Sequence, residues 1–180
     1  MRREKIHWGI IGCGRIAGLF AESLRIVEDA HLLAVASRTE GKAKQFGEKF
    51  GVERRYGSYE ELACDKDVDV VYIATPHNLH RDNAMLCIEN NKSVLCEKPF
   101  TVNAAQTAEV IQKAREKGVF LMEAMWTRFL PVVKKVRELI EQEIIGEIRM
   151  LKADFGYRID WLPEHRALNP KLAGGALLDV

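Results

Sequence analysis

The sequence contains no uninterrupted apolar run approaching the ~20 residues of a membrane-spanning helix. Cysteine is scarce. Cys13, Cys64, Cys87 and Cys96 are widely spaced, with no Cys-x-x-Cys pair, which predicts free thiols in a reducing cytosol rather than a disulfide framework. Neither sign of charge is in excess: Lys plus Arg is 27 and Asp plus Glu 26, giving a net charge of +1 and no sign of bulk nucleic-acid affinity. The N-terminus is basic, but the apolar segment 6–11 behind it is too short for a signal-peptide core and leads to no cleavage site. Internal repeats and low-complexity tracts are also missing. What remains is a 180-residue chain, 47 % apolar and 29 % charged, with enough apolar mass to build a globular core.

Over the first 120 residues, short apolar runs alternate with amphipathic stretches. Strands are predicted at 6–11, 31–37, near 54–56, at 68–74, 93–96 and 119–122. Between them, Ile16, Phe20, Leu24 and Val27 recur at helical spacing, and helices are expected over 41–50, near Ser58, over 80–89 and from the cap Asn103 to Gly118. In the last of these, Ala104, Ala108, Ile111 and Arg115 share a face. This βαβα rhythm with short buried strands predicts a doubly wound parallel sheet. The pattern changes after Ala124. Val132, Val136, Leu139 and Ile140 form a helical stripe closed by Gly146, and 147–157 alternates in part like a strand. We therefore expect a dinucleotide-binding Rossmann domain over 1–124 and the beginning of a second α/β domain over 125–180. The chain stops inside an apolar run, so it is expected to be the N-terminal part of a longer protein.

The strongest local motif is Gly12-Cys13-Gly14-Arg15-Ile16-Ala17, placed after a strand and opening a helix. It fits G-x-G-x-x-A: one glycine for a tight turn, a second for close approach to a pyrophosphate, and a small third residue for helix–strand packing. The second strand ends in Ser37-Arg38-Thr39 with no acid to accept from a ribose 2′-hydroxyl. An arginine there can pair with a 2′-phosphate, which favours NADP with NAD as the alternative; as a solvated loop residue it would leave the choice open. Thr75-Pro76-His77-Asn78-Leu79-His80 and Glu97-Lys98-Pro99 follow later strands, where loops line the ligand crevice of an open α/β sheet. His77 and His80 could touch nicotinamide or substrate, or simply flank a turn at Asn78. Lys98 could assist proton transfer or, on the tripeptide alone, be a surface lysine reaching water. No ligand set for zinc completes itself nearby, so no metal is expected.

Together with Glu123-Ala124-Met125-Trp126-Thr127-Arg128-Phe129, these motifs occur in an order that resembles the glucose–fructose oxidoreductase / inositol dehydrogenase / MocA family. Within it, the Met-Trp-x-Arg-Phe stretch and Gly174-Gly175-Ala176-Leu177-Leu178-Asp179-Val180 resemble the branch of dimeric dihydrodiol dehydrogenases and NADP-dependent D-xylose dehydrogenases. The resemblance covers the whole chain. It implies a Rossmann domain followed by an α/β domain on a large open sheet that makes a homodimer in the full-length protein. It also implies a pyrophosphate turn at Gly12, Cys13, Gly14, Arg15, Ile16 and Ala17, and a 2′-phosphate reader at Ser37 and Arg38. Thr75, Pro76, Asn78, His80, Glu97, Lys98, Trp126 and Arg128 would surround the cofactor. Lys98 would be catalytic, with His77, His80, Trp126, Arg128 and Asp179 towards the substrate. Asp179 matches the acid of a D-x-x-x-His/Tyr motif whose second member would lie beyond Val180.

The implied activity is NADP-dependent hydride transfer with a vicinal diol or sugar hydroxyl, in the cytoplasm, with no nucleic-acid or membrane partner. A non-catalytic NAD(P)-binding regulator of the same family is the second reading. An α/β domain of methyltransferase type is a third, disfavoured by the Gly-x-Gly-x-x-Ala spacing and Arg38.

Overall fold

A computed structural model describes residues 5–156 and 158–179, with the side chain of Asp179 outside that set. Six strands form one sheet: β1 (Ile6–Ile11), β2 (Ala30–Ala36), β3 (Arg54–Tyr56), β4 (Val70–Ile73), β5 (Ser93–Glu97) and β6 (Leu121–Ala124). Their order is β3-β2-β1-β4-β5-β6, and every pairing is parallel. Parallel neighbours need crossovers, and the helices α1 (Arg15–Leu24), α2 (Glu40–Phe50), α3 (Tyr59–Cys64), α4 (His80–Glu89) and α5 (Ala104–Lys117) supply them. The order is that of a Rossmann sheet, and its direction reverses between β1 and β4, where a crevice opens at the carboxyl ends of the strands.

The pleat divides the core in two. Ile11, Ala34, Ala36, Val71, Ile73, Val94 and Cys96 face α3, α4 and α5 through Leu62, Ala84, Cys87, Ile88, Val110 and Ala114. The alternate residues Ile10, Val35 and Tyr72 pack against Ala17 and Ala21 of α1 and Phe46 of α2. Strands covered on both sides cannot alternate in polarity, which is why they read as continuous apolar runs.

The predicted faces of two helices match those observed only in part. On α1 the small residues Ala17 and Ala21 are buried with Leu24, whereas Ile16 and Val27 are exposed. On α5 the buried residues are Val110 and Ala114, not the Ala104/Ala108 face. The last strand of the sheet begins two residues later than expected. The Val119 N–H is taken by the Ala114 carbonyl and the Gly118 N–H by Arg115, with Gly118 left-handed at φ +65°, so the helix cap uses up the first residues of the apolar run.

After β6 the chain leaves the sheet. Helix α6 (Pro131–Glu141) carries the predicted stripe, but Val132, Val136, Leu139 and Ile140 are exposed, and the helix stops at Glu141, well before Gly146. The expected strand over 147–157 is not found among the described residues, where 147–156 has no regular structure. A strand is held by a ladder to a neighbour, and among the described residues no strand pairs with this segment. Ile148, Met150 and Phe155 are accordingly exposed. Further on, a 3₁₀ turn, Pro170–Leu172, and the short helix α7 (Ala176–Asp179) follow. Ala167 and Ala173 of this stretch are buried.

A polar network ties β3 to the end of α3. The Asp65 carboxylate, with a side chain only 5 % exposed, accepts from Arg54 Nη1 at 2.6 and 2.8 Å, from Tyr56 Oη at 2.9 Å and from the Asp67 N–H at 3.0 Å. Burial pushes its pKa up, but Arg54, the Asp67 amide and Tyr56 outweigh it and hold it below the usual 3.8. A carboxyl depressed in the folded state adds stability above its unfolded pKa and loses it as pH falls through the folded value. Asp65→Asn should therefore cost about 2 kcal/mol in urea unfolding at pH 7, and the gap to the unsubstituted chain should narrow at pH 3. A constant gap across that range would refute the ionic role.

Candidate functional site

The carboxyl ends of β1, β4 and β5 converge on a cleft of about 430 Å³. Gly14, Arg15, Ile16 and Leu19 line one side, Ala74, Thr75, Pro76, His77 and His80 the next, and Glu97, Lys98, Trp126 and Arg166 the remainder. It thus brings together residues from four separate motifs.

At the β1–α1 turn, Gly12 has φ +98°, and a Cβ there would sit 2.7 Å from the Ala74 carbonyl oxygen. The two switch-point loops can approach this closely only because residue 12 is glycine. Gly14 is the N-cap of α1, with no side chain capping the helix, and a Cβ on it would meet nothing within 4 Å. The first helical bond runs from Gly18 N–H to Gly14 O at 3.2 Å, so the amides of residues 15–17 lie ahead of the intrahelical ladder. An uncapped helix N-terminus beside open space is an anion cradle. Ala17 is fully buried and lets α1 lie close on the sheet. A dinucleotide pyrophosphate fits these residues in chemistry and in shape.

Cys13 turns away from the cleft. Its Sγ lies 3.7 Å from the Ala36 carbonyl, and burial pushes the thiol up to about 11 against the opposing effects of the Ser37 hydroxyl and the Lys42 ammonium. It is a thiol, not a thiolate, at neutral pH. Ser37 is buried at the end of β2, and Arg38 and Thr39 are exposed beyond it. Arg38 lies close enough to Tyr59 to oppose the upward shift that burial gives that phenol. Lys42, close to the same turn, was not singled out from the sequence. All four cysteines are free.

On the β4 side, Thr75 and His77 are nearly buried and His80 fully so. His77 and His80, three residues apart across the 3₁₀ turn His77–Leu79, both reach the cleft wall. Asn78 between them is exposed and does not line the cleft, because the turn carries it off the shared face. His77 Nδ1 lies 3.2 Å from the Ala173 carbonyl, and its Nε2 lies 3.5 Å from Arg166 Nη1. One tautomer serves both contacts: Nδ1–H donates to the carbonyl and Nε2 accepts from the guanidinium.

At the end of β5, the Tyr72 hydroxyl makes a short hydrogen bond to Glu97 Oε1, and the Lys98 N–H donates to Glu97 Oε2 at 3.3 Å. Burial, then the Glu97 carboxylate, raises the Tyr72 pKa, so the phenol stays protonated and donates. The Tyr72 ring stacks on Phe20 of α1 at 3.8 Å, 18° from parallel. The Lys98–Pro99 bond is cis. Phe100 N–H donates to Glu123 Oε1 at 2.8 Å, which joins this loop to β6.

Trp126 is 58 % exposed and lines the cleft. Arg128 is exposed and does not line it; both lie on the 3₁₀ turn Trp126–Phe129, which turns only one of them inward. The Asp179 side chain lies outside the described residues. Sequence reasoning missed Leu19, Ala74 and Arg166. Leu19 reads as an ordinary helical apolar residue, and Arg166 comes from a distant segment with no motif of its own. Among the described residues, no group of three or more His, Cys, Asp or Glu side chains could hold a metal ion, and no helix is long and apolar enough to cross a membrane.

Comparison with known proteins agrees with this geometry. Residues 6–125 match the family described as "Oxidoreductase family, NAD-binding Rossmann fold". The chain belongs to this Gfo/Idh/MocA family. It is 45 % identical over 175 residues to trans-1,2-dihydrobenzene-1,2-diol dehydrogenase of Xenopus tropicalis, covering 96 % of this chain and 52 % of that enzyme. Against the human enzyme of the same name it is 42 % identical over 177 residues, covering 97 % and 52 %. The chain thus spans about half the length of the curated relatives it matches. Among solved structures, a 3-ketoreductase from Actinomadura kijaniata in complex with NADP superposes with a TM-score of 0.74 at 35 % identity, over 81 % of this chain and 46 % of that one. An NAD-binding oxidoreductase from Klebsiella pneumoniae gives 0.75 at 34 % identity, over 79 % and 40 %.

Proposed function

We propose that the protein is an NADP-dependent oxidoreductase acting on a vicinal diol or a sugar hydroxyl. The observation that carries this reading is the shared cleft, which the open N-terminus of α1 and Lys98 both line. The names of the relatives support the diol, and the NADP in the ketoreductase complex supports the cofactor. When bound, the dinucleotide supplies the hydride acceptor at nicotinamide C4. The chain does the rest. Amides at the start of α1 hold the pyrophosphate, and Ser37 with Arg38 holds the 2′-phosphate. Lys98 donates a hydrogen bond to the reacting oxygen as negative charge develops on it, and Trp126 offers an apolar wall. His77 and Arg166, coupled to each other, edge the substrate end. We assign residues 1–124 to the cofactor domain and 125–180 to the start of a second α/β domain. In this reading the full-length protein is a cytoplasmic homodimer joined through that second domain, and its substrate is a small diol or sugar.

Calorimetric titration with NADP⁺ and NAD⁺ tests the cofactor assignment. NADP⁺ should bind at least tenfold more tightly, since hydrogen bonds to a charged group are worth about 1.5–3 kcal/mol each. Arg38→Ala should weaken NADP⁺ by about tenfold or more and leave NAD⁺ within about twofold. Equal affinities in the unsubstituted chain would make Arg38 a solvated loop residue. Oxidation of trans-1,2-dihydrobenzene-1,2-diol and a panel of sugars, followed as NADPH absorbance, tests the reaction. Tight cofactor binding with no turnover on any of them would instead favour a non-catalytic regulator.

A further inference from the structure

Tyr72 packs on the α1 side of the sheet among apolar residues, yet it carries a hydroxyl. Its sheet neighbours are Ile10 on β1 and Leu95 on β5, and its ring lies face to face with Phe20, which meets Trp8 edge-on at 5.4 Å. A phenylalanine would fill this place and stack as well, whereas a buried hydroxyl needs a partner. Here the partner is Glu97 Oε1. Glu97 shares a face of β5 with Leu95, two residues on, so the phenol reaches its diagonal neighbour across the strands. The β4–β5 ladder ends at the Ile73–Cys96 pair, one residue short of Glu97. Beyond that end the Tyr72 side chain takes over, tying β4 to a carboxylate that lines the cleft.

We propose that Tyr72 is a positioning residue: its hydroxyl fixes the Glu97 carboxylate, and through it the backbone of Lys98, without touching cofactor or substrate. Its effect on turnover rests on the oxidoreductase reading above; the tie itself does not. Donors and acceptors match. The phenol gives its one O–H to Oε1, and Oε2 accepts from the Lys98 N–H at 3.3 Å. A hydroxyl on a carboxylate makes one of the stronger side-chain hydrogen bonds. Two observations set aside the more obvious role of a proton donor to substrate. Tyr72 is 2 % exposed and does not line the cleft, whereas Glu97 and Lys98 both do. Burial, then Glu97, raises its pKa, so the phenol keeps its proton at neutral pH. Lys98 is the next residue after Glu97, and a shift of about 1 Å in a reacting group can cost about a hundredfold in rate.

Tyr72→Phe removes the hydroxyl and keeps the ring; Glu97→Ala removes its partner. In amide hydrogen exchange followed by NMR, Lys98 should exchange about fivefold faster or more in Tyr72→Phe, with Val71 and Val94 inside the ladder within about twofold of normal. In turnover, Tyr72→Phe should lower kcat by about five- to thirtyfold with KM within about threefold. On a Glu97→Ala background the same change should lower kcat by less than about twofold, because the hydroxyl then has nothing to position. Unchanged Lys98 exchange overturns the proposal. So does an equal loss of kcat on both backgrounds, which would mean core packing, or a loss beyond about a thousandfold, which would mean that Tyr72 itself passes the proton. If Tyr72→Phe does not fold, the hydroxyl proton of the unsubstituted chain decides. A Tyr72 hydroxyl resonance that is visible, and vanishes in Glu97→Ala, supports the tie; one that is never visible, or persists in Glu97→Ala, rules it out. If the unsubstituted chain turns over no diol or sugar, the oxidoreductase reading fails while the Lys98 amide still judges the tie.

Discussion

Lys98→Met should cut diol oxidation by about 10²–10⁴-fold while weakening NADP⁺ binding by no more than about tenfold. The split follows from where the residue sits. Lys98 follows β5, two strands along the sheet from the β1–α1 turn and further from the exposed Arg38 at the end of β2. The phosphate contacts assigned to those residues survive its loss. In the proposed reaction, what disappears is a hydrogen-bond donor to an oxygen that gains charge only as the C–H bond breaks, and such an interaction acts on kcat rather than on ground-state affinity. Arginine should not rescue it. A planar guanidinium on a longer stem cannot place one donor where a compact ammonium does. Single-turnover absorbance at saturating NADP⁺, together with calorimetry, checks both halves. Residual turnover within tenfold of normal would remove Lys98 from the chemistry.

The sequence made the sheet legible because its strands are buried on both faces, and it made the glycine turn legible because backbone geometry there admits few residues. Where the reading erred, competing local physics explains it. Apolar periodicity grouped Ile16, Phe20, Leu24 and Val27 on α1; Leu24 is buried and Phe20 packs on the core, but close packing on the sheet turns Ala17 and Ala21 inward and leaves Ile16 and Val27 exposed. Ile16 and Leu19 are left to line the cleft, apolar side chains of the helix that the core does not use. The strand expected over 147–157 needs a neighbour that the described residues do not supply. His80 does line the cleft, but the carbonyls beside its ring, 5 and 19 residues away in sequence, leave no local trace. Asn78 and Arg128 fell outside the cleft for a simpler reason: a short turn exposes some of its side chains whatever motif they belong to.

The two glycines of the turn should separate folding from binding. At Gly12 a side chain would meet the Ala74 carbonyl oxygen at 2.7 Å and carbon at 2.9 Å, with φ at +98°. Neither main-chain atom can swing aside as a flexible side chain would. Gly12→Ala should therefore destabilise the chain by about 2–3 kcal/mol in urea unfolding, cofactor or none. Gly14 is different: its φ of −89° and ψ of −173° suit any residue, and its Cβ would enter empty space. Gly14→Val should leave unfolding within about 0.5 kcal/mol of normal. In the proposed reading, a pyrophosphate approaches the α1 amides through that empty space. Two charge-assisted hydrogen bonds lost there amount to about a hundredfold or more in NADP⁺ affinity. A folded Gly14→Val chain that binds NADP⁺ within fivefold of normal would mean the phosphates do not sit on this turn. The open helix end would then be a feature of the fold rather than the cofactor site.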